Sequence, residues 1–262
     1  MTIVAILQAR VSSTRLPGKV LKPVLGQPML ARHIERIRRS QRIGQLVVAT
    51  STHSSDDPLA LLCETLGVSC YRGSLEDVLD RFYQAARSFE PDHVVRLTGD
   101  CPLADPAVID QCIDLHVAGG YDYTSNCHPP TYPDGLDVEV IRFPALQAAW
   151  REATLPSERE HVMPFVWRRP ERFRLGNLLN PAGDLSHLRW TVDEPADFEL
   201  VSRVYGALYP ESPTFAMGDI LDLIRRQPEL ASMNKQHDRN EGLAESLAKD
   251  ASTPNEPGSP EE

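Results

Sequence analysis

The residues best equipped for chemistry lie close together near the start of the chain, in the stretch Gln8 to Lys19, QARVSSTRLPGK. It holds three hydroxyls, two arginines, a lysine and a glycine within twelve residues. A polyphosphate needs this combination of cations to offset charge and backbone N–H groups that can approach closely. Arg10 and Arg15 can offer planar forks, Lys19 a mobile point charge, and Ser12 and Ser13 hydroxyl donors. Gly18 frees the backbone for close approach, and Pro17 stiffens the turn before it. The loop is neither a Walker A motif nor GxGxxG: Val20 follows Gly18-Lys19 and the upstream glycine is missing. Taken by itself it could equally be a basic surface loop.

Two aspartates could supply a metal. Asp100 ends Arg96-Leu97-Thr98-Gly99-Asp100, and Asp193 ends Trp190-Thr191-Val192-Asp193, each just past an apolar run. Magnesium is commonly held by one or two carboxylates plus substrate phosphates. The competing local reading makes each a helix cap, and Asp105 and Glu194 fit that role better. For a second substrate the candidates are Arg96, Thr98, Asp137, Glu139, Arg159, Glu160 and His161. Arg96 sits inside an apolar run, where a cation needs a partner: a substrate anion, or Asp137 or Glu139. Those two alternate with Val138 and Val140, so both fall on one face of a strand. His161 reads as well as a hydrogen-bonded structural histidine. His128, beside Pro129 and Pro130, belongs to a loop that could form a lid.

Short apolar runs alternate with helix-period segments and would position these groups. Ile3–Leu7, Leu46–Ala49, Val68–Tyr71 and His93–Leu97 read as strands. Helices are expected near Met29–Arg39, Pro58–Leu66, Leu75–Ser88 and Pro106–Val117. That order predicts βαβ units and an α/β fold with a mainly parallel sheet, its ligand edge receiving Gln8, Thr50-Ser51 and Gly99-Asp100. Further on, Asp137–Ile141, Phe173–Gly176 and Leu188–Val192 read as strands. Pro144–Arg151, Glu158–Trp167, Ala196–Leu208 and Phe215–Arg226 read as helices. Residues 1–228 are expected to form one domain and 229–262, polar from about Ala231, a disordered tail.

The 262 residues carry a formal net charge of -10, which argues against a nucleic-acid partner. No apolar run reaches the ~20 residues that span a bilayer, and Met1–Leu7 lacks the marks of a signal peptide. Five dispersed cysteines without a CxxC pair suggest reduced thiols and a cytoplasmic protein.

The loop Gln8–Leu21 resembles the signature loop of the sugar cytidylyltransferases, which include the synthetases of CMP-activated keto-deoxyoctulosonate and CMP-sialic acids. The spore-coat polysaccharide biosynthesis F-type branch is closer still. Its RGSxxDVLDR is matched by Arg72–Arg81, RLTGDCPL by Arg96–Leu103, and GLDVEV by Gly135–Val140. EHVxP appears at Glu160–Pro164 and WTVDEPxD at Trp190–Asp197. The resemblance implies a nucleotide-diphospho-sugar transferase type of fold, a Rossmann-like three-layer sandwich with a mixed sheet. It implies CTP as the nucleotide and Mg²⁺ held by Asp100 and Asp193. It also implies a base site near Arg72, Ser74 and Asp77, with backbone groups of Leu7, Gln8 and Ala9 reading a pyrimidine. Read locally, Ser74 and Asp77 instead make a capping-box-like helix start. An acidic sugar-like acceptor and a homodimer are further implications. The reaction so implied is attack of an acceptor hydroxyl on the α-phosphate, with release of pyrophosphate. Two alternatives are a glycosyltransferase of the related fold, though Gly99-Asp100-Cys101 has one carboxylate where an Asp-x-Asp pair is usual, and a non-catalytic nucleotide-binding or assembly protein.

Overall fold

A computed structural model describes residues 1–236, 239 and 241–252. Strand β1 (Ile3–Gln8) alternates its side chains between two apolar layers. Val4 and Ile6 pack with one cluster, Ala5 and Leu7 with the other, so this strand is central rather than half-exposed. A 3-10 turn at Lys19–Leu21 and a small hairpin of β2 (Pro23–Val24) and β3 (Gln27–Pro28) lead into helix α1 (Met29–Ile37). Then β4 (Gln45–Ser51), α2 (Asp57–Thr65), β5 (Ser69–Gly73), α3 (Val78–Arg87), β6 (His93–Thr98) and α4 (Pro106–Gly119) alternate as the periodicity predicts. Asp105 caps α4, accepting the Ala107 N–H at 2.8 Å.

The second half contributes β7 (Tyr123–Ser125), β8 (Glu139–Arg142), α5 (Phe143–Glu152), α6 (Pro156–His161), α7 (Pro164–Trp167) and β9 (Leu175–Asn177). Helices α8 (Pro195–Leu208), α9 (Met217–Arg226) and α10 (Glu241–Ser252) follow. The seven-stranded sheet runs β5-β4-β1-β6-β8-β7-β9. Its β5-β4-β1-β6 half is parallel, and β8 runs against both of its neighbours, β6 and β7. Side chains of α1, α4, α8 and α9 (Ile34, Ile109, Val204, Ile220) fill one face. Those of α3, α5 and α7 (Phe82, Leu146, Val166) fill the other. Each such side chain contributes roughly 1.5–3 kcal/mol by burial. The result is the three-layer α/β sandwich with a mixed sheet that the sequence implies. Gln8 pairs in register with both Thr98 and Ala49, so the loops after β1, β4 and β6 open on one edge.

Three expectations need correction. Leu188–Val192 has a strand's apolar alternation but joins no sheet. It is extended chain held by a bridge to Asp134 and by the Val192 N–H on the Asp100 carbonyl at 2.8 Å. The single helix expected over Glu158–Trp167 breaks at Val162, which adopts φ 72°, a costly left-handed conformation for a β-branched residue. In the stretch expected to be a disordered tail from 229, the described residues include the 3-10 turn Pro228–Ser232 and α10, which packs on α6. Polar side-chain pairs hold α10, so the sparse apolar content of that stretch misleads. Residues 253–262 lie outside the described residues.

Candidate active site

The loop after β1 is anchored at its root by one buried carboxylate, Asp56. Its Oδ1 accepts the Val11 N–H at 2.8 Å, and its Oδ2 accepts the N–H and hydroxyl of Ser51 at 3.1 and 2.5 Å. Burial would raise the Asp56 pKa. The Ser51 hydroxyl and the backbone donors outweigh burial and hold the carboxyl below its ordinary value. The loop then folds on itself, with the N–H groups of Ser13 and Gly18 both donating to the Val11 carbonyl. Gly18 takes φ 70°, which few other residues adopt readily, and the next side chain, Lys19, is buried. From β6, Gly99 permits the close approach of Asp100. A Cβ on Gly99 would lie 2.9 Å from the Ala9 Cβ and 3.2 Å from the Gln8 carbonyl oxygen.

Lys19 joins the two candidate metal carboxylates. Its Nζ donates to the Val192 carbonyl at 2.7 Å and Asp193 Oδ1 at 2.9 Å, and lies 3.6 Å from Asp100 Oδ2. Burial alone would lower the Lys19 pKa, but Asp100 and Asp193 more than offset it and raise the ammonium above its ordinary value. For Asp100, burial pushes upward, while Lys19 and hydrogen bonds from Thr98 and Cys101 pull the carboxyl down to about 2. Asp193 also meets Arg15 at 3.0 Å and Arg189 at 3.1 Å. Arg189 reaches Asp134 and Asp197 as well, each at 3.0 Å, and Asp197 in turn accepts the N–H groups of Asp193 and Glu194. The position of Asp193 is thus fixed through both its side chain and its backbone.

These groups border a cleft of about 400 Å³. Gln8, Ala9, Arg10, Ser12, Ser13, Arg15 and Lys19 line it from the loop, and Arg96, Thr98 and Asp100 from β6. Asp137, Glu139, Glu160, His161 and Asp193 complete its wall. The exposed Arg10 has no ion pair among the described residues, whereas Arg15 and Lys19 are paired. Arg96 pairs with Glu139, its register partner across β6 and β8, and its Nε reaches Gln8 Oε1 at 3.2 Å. Glu139 also accepts the Tyr123 hydroxyl at 2.6 Å. Asp137 pairs with Arg239. Burial raises the Asp137 pKa against that pairing. His161 shares the Ser246 hydroxyl with Glu160, each at 3.0 Å.

Six predicted residues stand elsewhere. Leu7 is fully buried within β1, and Gly18 turns the loop without lining the cleft. Arg72 donates to the Ser51 and His53 carbonyls and pairs with Asp57 at 2.7 Å. Ser74 and Asp77 order the start of α3, accepting the Asp77 and Asp80 N–H groups respectively. Arg159 ties α6 to that start through Asp77 and to the Trp150 carbonyl at 2.8 Å. The helix-start role that their local pattern gives Ser74 and Asp77 is present in the structure. Sequence reasoning missed Asp56, Arg81, Asp134 and Arg189. Arg81 lines the cleft, holds the Ser74 and Leu75 carbonyls, and leaves its buried Nε without a hydrogen bond. Its place at the end of the Arg72–Arg81 motif was the available signal. His128 does border the cleft, its ring 4.9 Å from that of Trp167.

The donor set suits a hard cation completed by substrate. Asp100 and Asp193 both reach Lys19 Nζ and so converge. No cluster of three or more His, Cys, Asp or Glu side chains among the described residues could hold a metal by itself. Two carboxylates plus phosphate oxygens is a common magnesium arrangement.

A family model described as cytidylyltransferase matches residues 4–208. The chain belongs to the cytidylyltransferase family. The chain is 34% identical over 236 residues to the spore coat polysaccharide biosynthesis protein SpsF of Bacillus subtilis, covering 88% of this chain and 97% of that one. A cytidylyltransferase structure from Leptospira borgpetersenii superposes with a TM-score of 0.84 at 33% identity, over 88% of this chain and 97% of its own. A CMP-2-keto-3-deoxy-manno-octonic acid synthetase complexed with CTP shares the fold, with a TM-score of 0.60 at 18% identity, over 79% of this chain and 99% of that chain. Membership makes this chain an enzyme of nucleotidyl transfer and bears out the resemblance drawn from its motifs. No helix among the described residues is long and apolar enough to cross a membrane.

Proposed function

We propose that the cleft transfers CMP from CTP to a hydroxyl of an acidic sugar or sugar-like acceptor, with release of pyrophosphate, in the cytoplasm and toward a surface glycan. The observation carrying this reading is Lys19 bridging Asp100 and Asp193 beneath a cationic loop, in a chain of this family. Arg10, which has no ion pair among the described residues, receives phosphate oxygens. Lys19 stays protonated at neutral pH and faces the charge that builds on the α-phosphate and the leaving pyrophosphate. Positioning and charge stabilisation carry such transfers, so no covalent nucleophile is required. Asp100 and Asp193 would hold magnesium, which supplies charge neutralisation at phosphate oxygens and acidifies a bound hydroxyl. Cytosine selection is supported by the family and by a related synthetase that binds CTP. The acceptor enters on the side of Thr98, Glu160 and His161. The test is a pyrophosphate-release screen of four nucleoside triphosphates against a panel of acidic sugars, with magnesium. Release with CTP and one acid supports the reading. Equal release with every nucleotide, or none with any acid, counts against it.

A further inference from the structure

Helix α10 crosses the cleft, and its attachment is unusual. Glu241, Gly242 and Leu243 line the same cleft as the phosphate loop. Glu241 accepts from Arg15 at 2.9 Å, at the loop. Ser246 bonds Glu160 and His161, and Asp250 accepts the Ser157 N–H at 3.1 Å, at α6. Just before the helix, Arg239 pairs with Asp137 and donates to the Tyr132 carbonyl at 3.1 Å, while its buried Nε lies 3.9 Å from Asp134 without a hydrogen bond. Among the described residues, no side chain of α10 joins either apolar core, although the chain up to Met233 does. The helix is therefore fastened by polar contacts, and its pair at the loop is more than a third exposed on both sides.

The Arg15–Glu241 end of this fastening is weak and exchangeable, whereas the side chains of Ser246 and Asp250 are buried at α6. Exposed ion pairs contribute little and are screened by salt. Arg15 is already shared among Asp193, Glu194 and Glu241. A triphosphate is a stronger partner for its fork than a carboxylate on a solvated helix end, and its charge repels Glu241. We propose that α10, with Arg239, is an autoinhibitory strap that closes the acceptor side of the cleft and is released when substrate phosphate takes Arg15. This rests on the reading of the loop as a triphosphate site.

The test is amide hydrogen exchange across α10 in the full chain, with inorganic tripolyphosphate as probe and calorimetry to record binding. Glu241→Gln is expected to speed α10 exchange about two- to five-fold, the scale of one exposed pair. Tripolyphosphate should do the same to the unaltered chain and add little to the variant. Binding seen by calorimetry with α10 exchange slowed or unchanged overturns the strap. No binding by either protein removes the phosphate reading and the trigger together. Glu241→Gln then still judges the fastening, and unchanged exchange sinks it.

Discussion

Replacing Lys19 by methionine keeps the length of the side chain and removes the one charge that both carboxylates share. The drop of Asp100 from its ordinary 3.8 to about 2 corresponds to on the order of 2 kcal/mol. Lys19 is the leading favourable contributor to that drop. In the unaltered enzyme the depressed Asp100 adds stability above pH 3.8 that is lost as pH falls toward 2. Without Lys19 the Asp100 carboxyl loses the leading favourable contributor to that drop, so most of this stabilisation is absent from the variant. The melting temperature should fall by about 2–4 °C per kcal/mol at pH 6–8, and the gap to the unaltered enzyme should narrow as pH falls from 3.8 toward 2. Turnover should fall about 10²–10³-fold, the cost of one preorganised charge contact. Melting curves from pH 2.5 to 8 and pyrophosphate release measure both. Turnover within about threefold of the unaltered enzyme, or a melting gap constant with pH, would refute the reasoning.

Asp56→Asn should loosen the root of the loop, since one amide oxygen cannot serve both Val11 and Ser51 as the carboxylate does. The expected result is about a tenfold rise in KM for the nucleotide with a smaller change in kcat, read from initial rates. Gly99→Ala places a Cβ 2.9 Å from that of Ala9 and should cost about 1–3 kcal/mol in denaturant unfolding, with impaired nucleotide binding. Arg159→Ala separates the predicted acceptor role from the structural one. Its ties to Asp77 and Trp150 imply lower thermal stability with the acceptor KM within about threefold, whereas an acceptor ligand would show the larger change in KM.

The sheet's centre was legible because β1, β4 and β6 are apolar runs bounded by turn residues. Their C-terminal ends then bring Gln8 and Asp100 together by topology alone. That topology sets the loop bearing Lys19 beside Asp100, whereas Asp193 was reached through its WTVDEPxD motif, since the run before it joins no sheet. Asp56 and Arg189 were not legible. Each joins near partners to distant ones, Asp56 to Val11 at 45 residues and Arg189 to Asp134 at 55, and no local pattern marks those long-range pairings. Leu188–Val192 misleads because apolar alternation reports one buried face, and extended chain with Leu188, Trp190 and Val192 all in one core satisfies that without a sheet. The three residues of β7 are too few to show a period. Helix α10 escaped because polar contacts place it, and hydropathy does not register those.

The most direct test follows the α-phosphate itself. The enzyme would be incubated with CTP labelled at that position, magnesium and the acidic-sugar panel, and the products separated and weighed by mass spectrometry. Cytidylyl transfer puts the label in a CMP–sugar conjugate, with one pyrophosphate released for each conjugate formed. Label found only in unchanged CTP or in free CMP across the whole panel would contradict it.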